Sequence, residues 1–385
     1  MQKLKIGFLI PYSGIFRNLR NDFKQGVLLA LAQMIPNREM EMVDEFIQTG
    51  GQSFVENALH KLALFDHVDI IIGIVGTKVT QNCLDLINKH RVPVVIANLG
   101  GFVPTYQFRS DYLFYTSLDL WKSEWSMGKW AQQQYGADPC VSLSYYEAGY
   151  NMHECYRYGL HAAGATYVKL NFIKGTTASP DTLPLINQLQ LLMPNHTHAM
   201  LSGKEGEQFL YHYRQSKIAS RTALSVNPFM VDECLETADT SVANLTSAIT
   251  WTCQLETNAN QYFIQTYEKK FDQQPIVYSM LGYEVGLCLS KAIEGHEGRK
   301  ITRDSLTTML AATTCFGPRG EINLKTTSYH NSHPVYIRIS QINSKTGLIE
   351  NKIIDQDPGI SWEHPEMLQA AYDNSSGWQN PYLCV

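Results

Sequence analysis

No stretch of the chain is apolar enough to cross a bilayer as a helix. Its longest apolar-plus-glycine runs reach seven residues, as in Ile70–Gly76, against the ~20 that a span requires. Long basic runs are missing as well. With 31 Lys+Arg against 36 Asp+Glu the net charge is −5, so the concentrated positive field that a nucleic-acid binder sets against phosphates is lacking. Charged residues make up only 17%, yet 44% are apolar, which excludes a disordered or fibrous chain. The eight cysteines (83, 140, 155, 234, 253, 288, 315 and 384) are never closer than fifteen residues, so CxxC and zinc-knuckle spacings are absent. Cys83, Cys155 and Cys288 fall in amphipathic helical patterns and read as buried, unpaired thiols. Catalytic signatures are equally scarce: no G-x-G-x-x-G after a strand, no Walker A run and no G-x-S-x-G elbow. His196 and His198 form the one tight histidine pair and read as solvated loop residues. Glu147, Glu154, Glu205 and Glu207 read as surface carboxylates, the usual fate of an acid. No catalytic residue, metal or cofactor is expected, and an enzyme using Glu147 or Glu205 with a cysteine or histidine is the least favoured class.

What is present is alternation. Leu4–Ile10 has a strand pattern, and Asn21–Gln33 carries apolar residues at helical spacing. Ser53 with Glu56 three residues on is a capping box opening the next helix. Ile70–Val75 is a continuous apolar run, as expected for a parallel strand buried on both faces. A helix over Val79–Lys89 and a strand over Val92–Ala97 complete a βαβ series with right-handed crossovers. From Trp121 to Val226 a second series repeats the pattern. Helical patterns near Ala259–Phe271, Tyr278–Glu294 and Thr302–Ala312 follow, then two strands, Val335–Ile342 and Gly347–Ile354, with a turn at Asn343–Thr346. Residues 355–385 show little periodicity and read as an extended tail wrapped on the body. At length 385, two or three domains are expected.

In open parallel sheets ligands sit off the carboxyl ends of the strands. Those ends carry Ser13 and Phe16, Gly76 and Thr77, Asn98 and Leu99, Tyr146, Ser202 and Asn227. Hydroxyls and free amides there can hold a carboxylate, and aromatic rings can cover the remainder. Met1-Gln2-Lys3 runs straight into the first strand without the apolar segment of a signal peptide, which fits a cytosolic protein or a mature form with a replacement Met.

The opening Ile6–Gly14, with its Pro11-Tyr12-Ser13-Gly14 turn, resembles the first strand and Ser-Gly loop of type I periplasmic solute-binding proteins, specifically the branched-chain amino-acid (Leu/Ile/Val) receptor group of ABC transporters. Ile70–Gly76, Val92–Ile96, Phe114–Ser117, Tyr283–Gly286 and Phe316–Leu324 are similar, in order and spacing, to later motifs of that family, covering about residues 4–354. The resemblance implies an α/β fold of two Rossmann-like lobes with parallel sheets joined by a three-strand hinge. Lobe 1 would comprise 1–118 plus 250–320, and lobe 2 would comprise 119–249 plus 321–354, with 355–385 a C-terminal extension packed on the body. Hinges are expected near 118–121, 248–252 and 318–330. It further implies an extracytoplasmic receptor that closes over an amino acid or aromatic acid and hands it to a membrane permease. Such a receptor would be a monomer, without cofactor or nucleic acid, in the periplasm or at the cell surface. A cytosolic ligand-sensing regulator of the same fold is the alternative. By the same resemblance Thr77 binds the ligand carboxylate, assisted by backbone groups near Asn98 and Leu99, and Tyr146 and Tyr150 supply aromatic contacts. Ser202 and Asn227 stand where the family places ammonium contacts, though the family's usual types there are Tyr and an acid. The family's early disulfide has no partner here for Cys83.

Overall fold

The computed structural model describes residues 3–104, 110–173, 180–232, 240–296, 300–325, 333–345, 347, 349–360, 365–374 and 376–384. Cys234, Trp362, Thr346 and positions 326–330 of the third expected hinge lie outside these residues. The first series runs β1 (Leu4–Ile10), α1 (Leu19–Met34), β2 (Met40–Phe46), α2 (Gln52–His60, prolonged by a π turn), β3 (Ile70–Ile74), α3 (Thr77–Asn82), α4 (Leu84–His90), β4 (Val94–Asn98) and β5 (Leu113–Ser117). The single helix expected over 79–89 is thus two, divided at Cys83. These strands form an all-parallel sheet in the order β2-β1-β3-β4-β5. Every residue of β3 and β4 is buried, because helices cover both faces of the sheet.

The second series is α5 (Leu120–Tyr135), β6 (Pro139–Ser144), α6 (Met152–Ala162), β7 (Lys169–Ile173), α7 (Leu183–Leu192), β8 (His196–Met200), α8 (Gly203–Gln215), β9 (Ala223–Val226) and β10 (Thr246–Ile249). The chain then returns through α9 (Asn258–Phe271), α10 (Val277–Ile293), α11 (Arg303–Ala312) and the small hairpin β11 (Cys315–Gly317) and β12 (Gly320–Ile322). It ends with β13 (Val335–Ile342), β14 (Ile349–Asp357) and α12 (Pro365–Asp373). The second sheet has the order β14-β13-β10-β9-β8-β6-β7, with β13 antiparallel to both neighbours. The strand order turns back between β1 and β3 in one sheet and between β6 and β8 in the other, so each lobe has its own switch-point crevice.

Both lobes use the same device to seat a helix pair. A Cβ at Gly26 would fall 2.0 Å from the Ser279 carbonyl oxygen, and one at Gly282 would fall 2.1 Å from that of Phe23, so α1 and α10 touch backbone to backbone. In lobe 2, Gly128 and Gly159 do the same for α5 and α6, at 2.1 Å from the Tyr156 oxygen and 2.0 Å from the Trp125 oxygen.

The crossovers between lobes are tied by one residue. The Arg319 guanidinium forks onto Glu284 (Nε–Oε1 3.0 Å, Nη2–Oε2 2.6 Å) and donates to the Ser117 carbonyl at 2.7 Å. It also reaches the hydroxyls of Thr250 at 3.4 Å and Thr116 at 3.3 Å. Thr250 in turn donates to the Leu118 carbonyl at 2.6 Å.

The tail departs from the expected extended wrap. Its α12 buries Leu368 and Ala371 with Ile360 against Trp121, Trp125 and Cys155 of lobe 2. Asn151 secures it by donating to the Ala371 carbonyl at 2.6 Å.

Candidate functional site

Both crevices open onto one cleft between the lobes, and residues 376–384 run through it. From lobe 1, the Ser13 hydroxyl donates to the Leu383 carbonyl at 2.5 Å. Gly76 lies so close that a Cβ would stand 2.4 Å from the Gln379 carbonyl oxygen. Phe16 packs edge-on against Tyr278 of its own lobe and Phe229 of the other. From lobe 2, the Tyr146 hydroxyl accepts from the Leu383 amide at 3.0 Å, and the Tyr150 hydroxyl accepts from the Asn380 side chain at 2.9 Å. Ser13, Phe16, Gly76, Tyr146 and Tyr150 therefore meet at one place.

The other sequence-derived positions have different surroundings. Asn98 spends its side chain on the loop itself, donating to the Val75 carbonyl and accepting from the Gly100 amide and Ser117 hydroxyl. Leu99 is fully buried, and its carbonyl takes the Leu120 amide. These two brace the rim and the first crossover. Thr77 is buried and pairs with the Tyr115 hydroxyl at 3.2 Å. Asn227 caps the turn that follows it by accepting from the Phe229 amide, and its amide group faces Glu124 at 3.4 Å. Ser202 is buried at the start of α8, next to Glu147.

Two sets of residues read from the sequence as solvent-facing are buried. His196 and His198 are not loop residues; both lie within β8 and are fully covered. His196 bonds the Tyr156 hydroxyl at 2.7 Å, and burial lowers its pKa to about 3, so it is neutral. His198 stacks on Tyr156, touches the Ser225 hydroxyl at 2.8 Å and pairs with Glu124 at 2.9 Å.

Glu147 and Glu205 are likewise not surface carboxylates, being 0% and 2% exposed. Burial drives the Glu147 pKa up to about 8, and the nearby acids Glu205 and Glu124 push the same way against Ser202 and Tyr382. Neither Glu147 oxygen completes a hydrogen bond of normal geometry, nor do Ser144 Oγ, Glu205 Oε2 and Tyr382 Oη. This cluster of buried carboxyls and hydroxyls, Glu147 facing Ser202 and Tyr382 and Glu205 facing Ser144, is the part of the site that the sequence reading missed. The signal was present, because Glu147 directly follows Tyr146 and Glu205 lies in the first turn after Ser202. Among the described residues no group of three His, Cys, Asp or Glu is arranged to hold a metal ion.

Two similar α/β lobes with a shared cleft between their strand ends are the architecture of a receptor that takes its ligand from both sides. A sequence model of the family described as periplasmic binding protein matches residues 3–346. The chain belongs to the periplasmic binding protein family. Among solved structures, this periplasmic binding protein is similar to an ABC transporter substrate-binding protein from Sphaerobacter thermophilus, with TM-score 0.79 and 19% identity over 93% of this chain and 98% of that one. A solute-binding protein of an ABC transporter from R. palustris, in complex with benzoate, has TM-score 0.76 and 21% identity over 94% and 98% of the two chains. A leucine-binding protein from Thermotoga maritima gives 0.69 and 17% over 92% and 98%. No curated protein sequence matches. The fold is thus that of ABC-transporter substrate-binding proteins.

Proposed function

We propose that the protein is the extracytoplasmic receptor of an ABC transporter, taking a small carboxylate-bearing solute between its lobes and delivering it to a membrane permease. Hinge closure stabilised by contacts to both lobes would make binding a population shift, with no chemistry on the ligand. The observation that carries this reading is the convergence of Ser13, Gly76, Tyr146 and Tyr150 from opposite lobes on one cleft. The lobe 1 hydroxyls of Ser13 and Thr77 suit a carboxylate, and the aromatic rings suit an apolar body. The cytosolic regulator of the same fold has no observation in its favour.

Glu147 and Glu205 favour an amino acid over an aromatic acid, since buried carboxyls on lobe 2 offer a partner to an ammonium group. The two ligand classes have opposite pH signatures. An ammonium ligand needs Glu147 ionised, so its binding releases a proton at neutral pH and tightens as pH rises toward 8. An aromatic acid is held better by protonated Glu147 and tightens as pH falls. Calorimetry and thermal shift with L-leucine, L-phenylalanine, benzoate and 4-hydroxybenzoate at pH 6 and pH 8 test both points. A compound at 100 times its Kd stabilises the fold by about 2.7 kcal/mol. If no amino acid and no aromatic acid shifts the melting curve, the ligand class is wrong.

A further inference from the structure

We propose that residues 376–384 are a tethered occupant of the inter-lobe cleft, which a solute must displace before the lobes can close on it. The inference rests on the receptor reading above and concerns how that site is controlled. The segment occupies the site: it engages Ser13 and Gly76 on one lobe and Tyr146 and Tyr150 on the other. The Leu383 main chain is held from both lobes, its carbonyl accepting from Ser13 and its amide donating to Tyr146. The Tyr382 ring stacks on Tyr146 at 6.2 Å between centroids, with Tyr150 edge-on at 5.0 Å. Trp378 lies directly on Gly149, where a Cβ would fall 1.2 Å from its Nε1 atom, and the indole donates to the Tyr146 carbonyl.

The contacts are those of a stand-in more than those of a finished core. Tyr382 and Glu147 are buried against each other, yet neither the hydroxyl nor the carboxyl completes a normal hydrogen bond. Ser202 and Tyr382 offer the carboxyl only poorly aligned hydroxyls, and a solute bringing its own well-aligned donor would satisfy Glu147 better. The segment is also held close. It follows α12, which is packed on lobe 2, so its effective concentration at the cleft is on the order of millimolar. A tether that fills the cleft nine-tenths of the time weakens the apparent affinity of any solute about tenfold.

The test uses the full chain and two readouts. The first needs no ligand: iodoacetamide labelling without denaturant, read peptide by peptide by mass spectrometry. Cys384 and Cys155 are both buried thiols, 0% and 2% exposed. If the segment detaches, Cys384 is labelled at least 100-fold faster than Cys155, which waits for lobe 2 to open. Equal rates overturn the proposal, whether or not any solute is found.

The second readout is a reversible lock. A Cβ at Gly101 would stand 3.1 Å from that of Tyr382, a few tenths of an ångström inside the range of natural disulfides. Oxidised Gly101→Cys/Tyr382→Cys should lose binding of whichever of L-leucine, L-phenylalanine, benzoate or 4-hydroxybenzoate binds the unmodified chain. Reduction should restore it. Tyr382→Ala, which needs no new bond, should bind the same compound at least tenfold more tightly. Equal affinity of the locked and reduced forms means that the segment is a fixed wall, and overturns the proposal. Fast Cys384 labelling with no binding of any of the four compounds would instead discard the ligand class and leave the tethered occupant standing.

Discussion

Replacing Arg319 with methionine removes the tie between the crossovers, and its cost follows from what is left behind. The Arg319 and Glu284 side chains are 1% and 0% exposed, so the substitution strands a carboxylate away from water and counter-charge. Breaking one side of such a pair costs about 3–5 kcal/mol. The Ser117 carbonyl also loses its 2.7 Å donor, a penalty of about 1–3 kcal/mol that overlaps with the first as the site relaxes. At a urea slope of about 3 kcal/mol/M, the unfolding midpoint should fall by about 1–2 M. The double variant Arg319→Met/Glu284→Leu removes both charges and should recover most of that loss, leaving about 1–2 kcal/mol for the unsatisfied carbonyl. Urea titrations of the wild type, both single variants and the double variant, followed by tryptophan fluorescence and circular dichroism, give the full cycle. A loss below 1 kcal/mol for Arg319→Met would refute the reasoning, as would a double variant as unstable as the two single losses added together.

The remaining expectations concern pH, oxidation and packing. Glu147 has its pKa raised from 4.5 to about 8 in the fold, so between those values the folded state keeps a proton that the unfolded chain has lost. Stability from this group is complete below pH 4.5 and falls as pH rises to 8; Glu147→Gln should match wild type near pH 4.5 and exceed it at pH 8, by at most about 5 kcal/mol. Unfolding curves showing a constant gap across that range would contradict it. Cys288 and Cys315 place their sulfurs 3.0 Å apart while both are free, so oxidised glutathione should join them. Intact mass would then show the loss of two hydrogens, and closing a loop of this length should stabilise the fold by about 3–4 kcal/mol. An unchanged melting curve in the cross-linked form would exclude that gain. Gly282→Ala puts a methyl group 2.1 Å from a backbone oxygen and should force α1 and α10 apart at a cost of about 1–3 kcal/mol. Gly295→Ala, with nothing near the added carbon, should lose only the strain of its positive φ, about 1–2 kcal/mol, and leave the α1–α10 contact intact.

Much of the architecture is legible locally. Ile70–Ile74 and Val94–Asn98 are buried on both faces and therefore nearly uniformly apolar, a pattern visible without knowing their neighbours. The ends of such strands identify where a ligand crevice lies, and Ser13, Gly76 and Tyr146 follow from that rule, whereas Tyr150 comes only from the family resemblance. The same rule does not say which way a strand-end side chain turns: the Asn98 side chain braces the loop and the Leu99 side chain is buried. His196 and His198 show a second limit. An all-buried strand has no alternation to reveal it, and two histidines look polar until Tyr156, Ser225 and Glu124 are brought against them. α12 was hidden in a tail whose nine helical residues are too few to impress a period on thirty.

The two βαβ series, and the strand ends around which a crevice forms, can be read from the chain alone. Those features arise from hydrophobic periodicity and turn chemistry within a few residues. Tertiary structure decided what fills the cleft and what state its acids are in. Leu383 meets Ser13 across 370 positions and Tyr146 across 237, and Glu147 becomes a raised-pKa acid only when the fold buries it beside Glu205 and Glu124. Burial and desolvation depend on which distant surfaces come together, and local pattern carries no record of that.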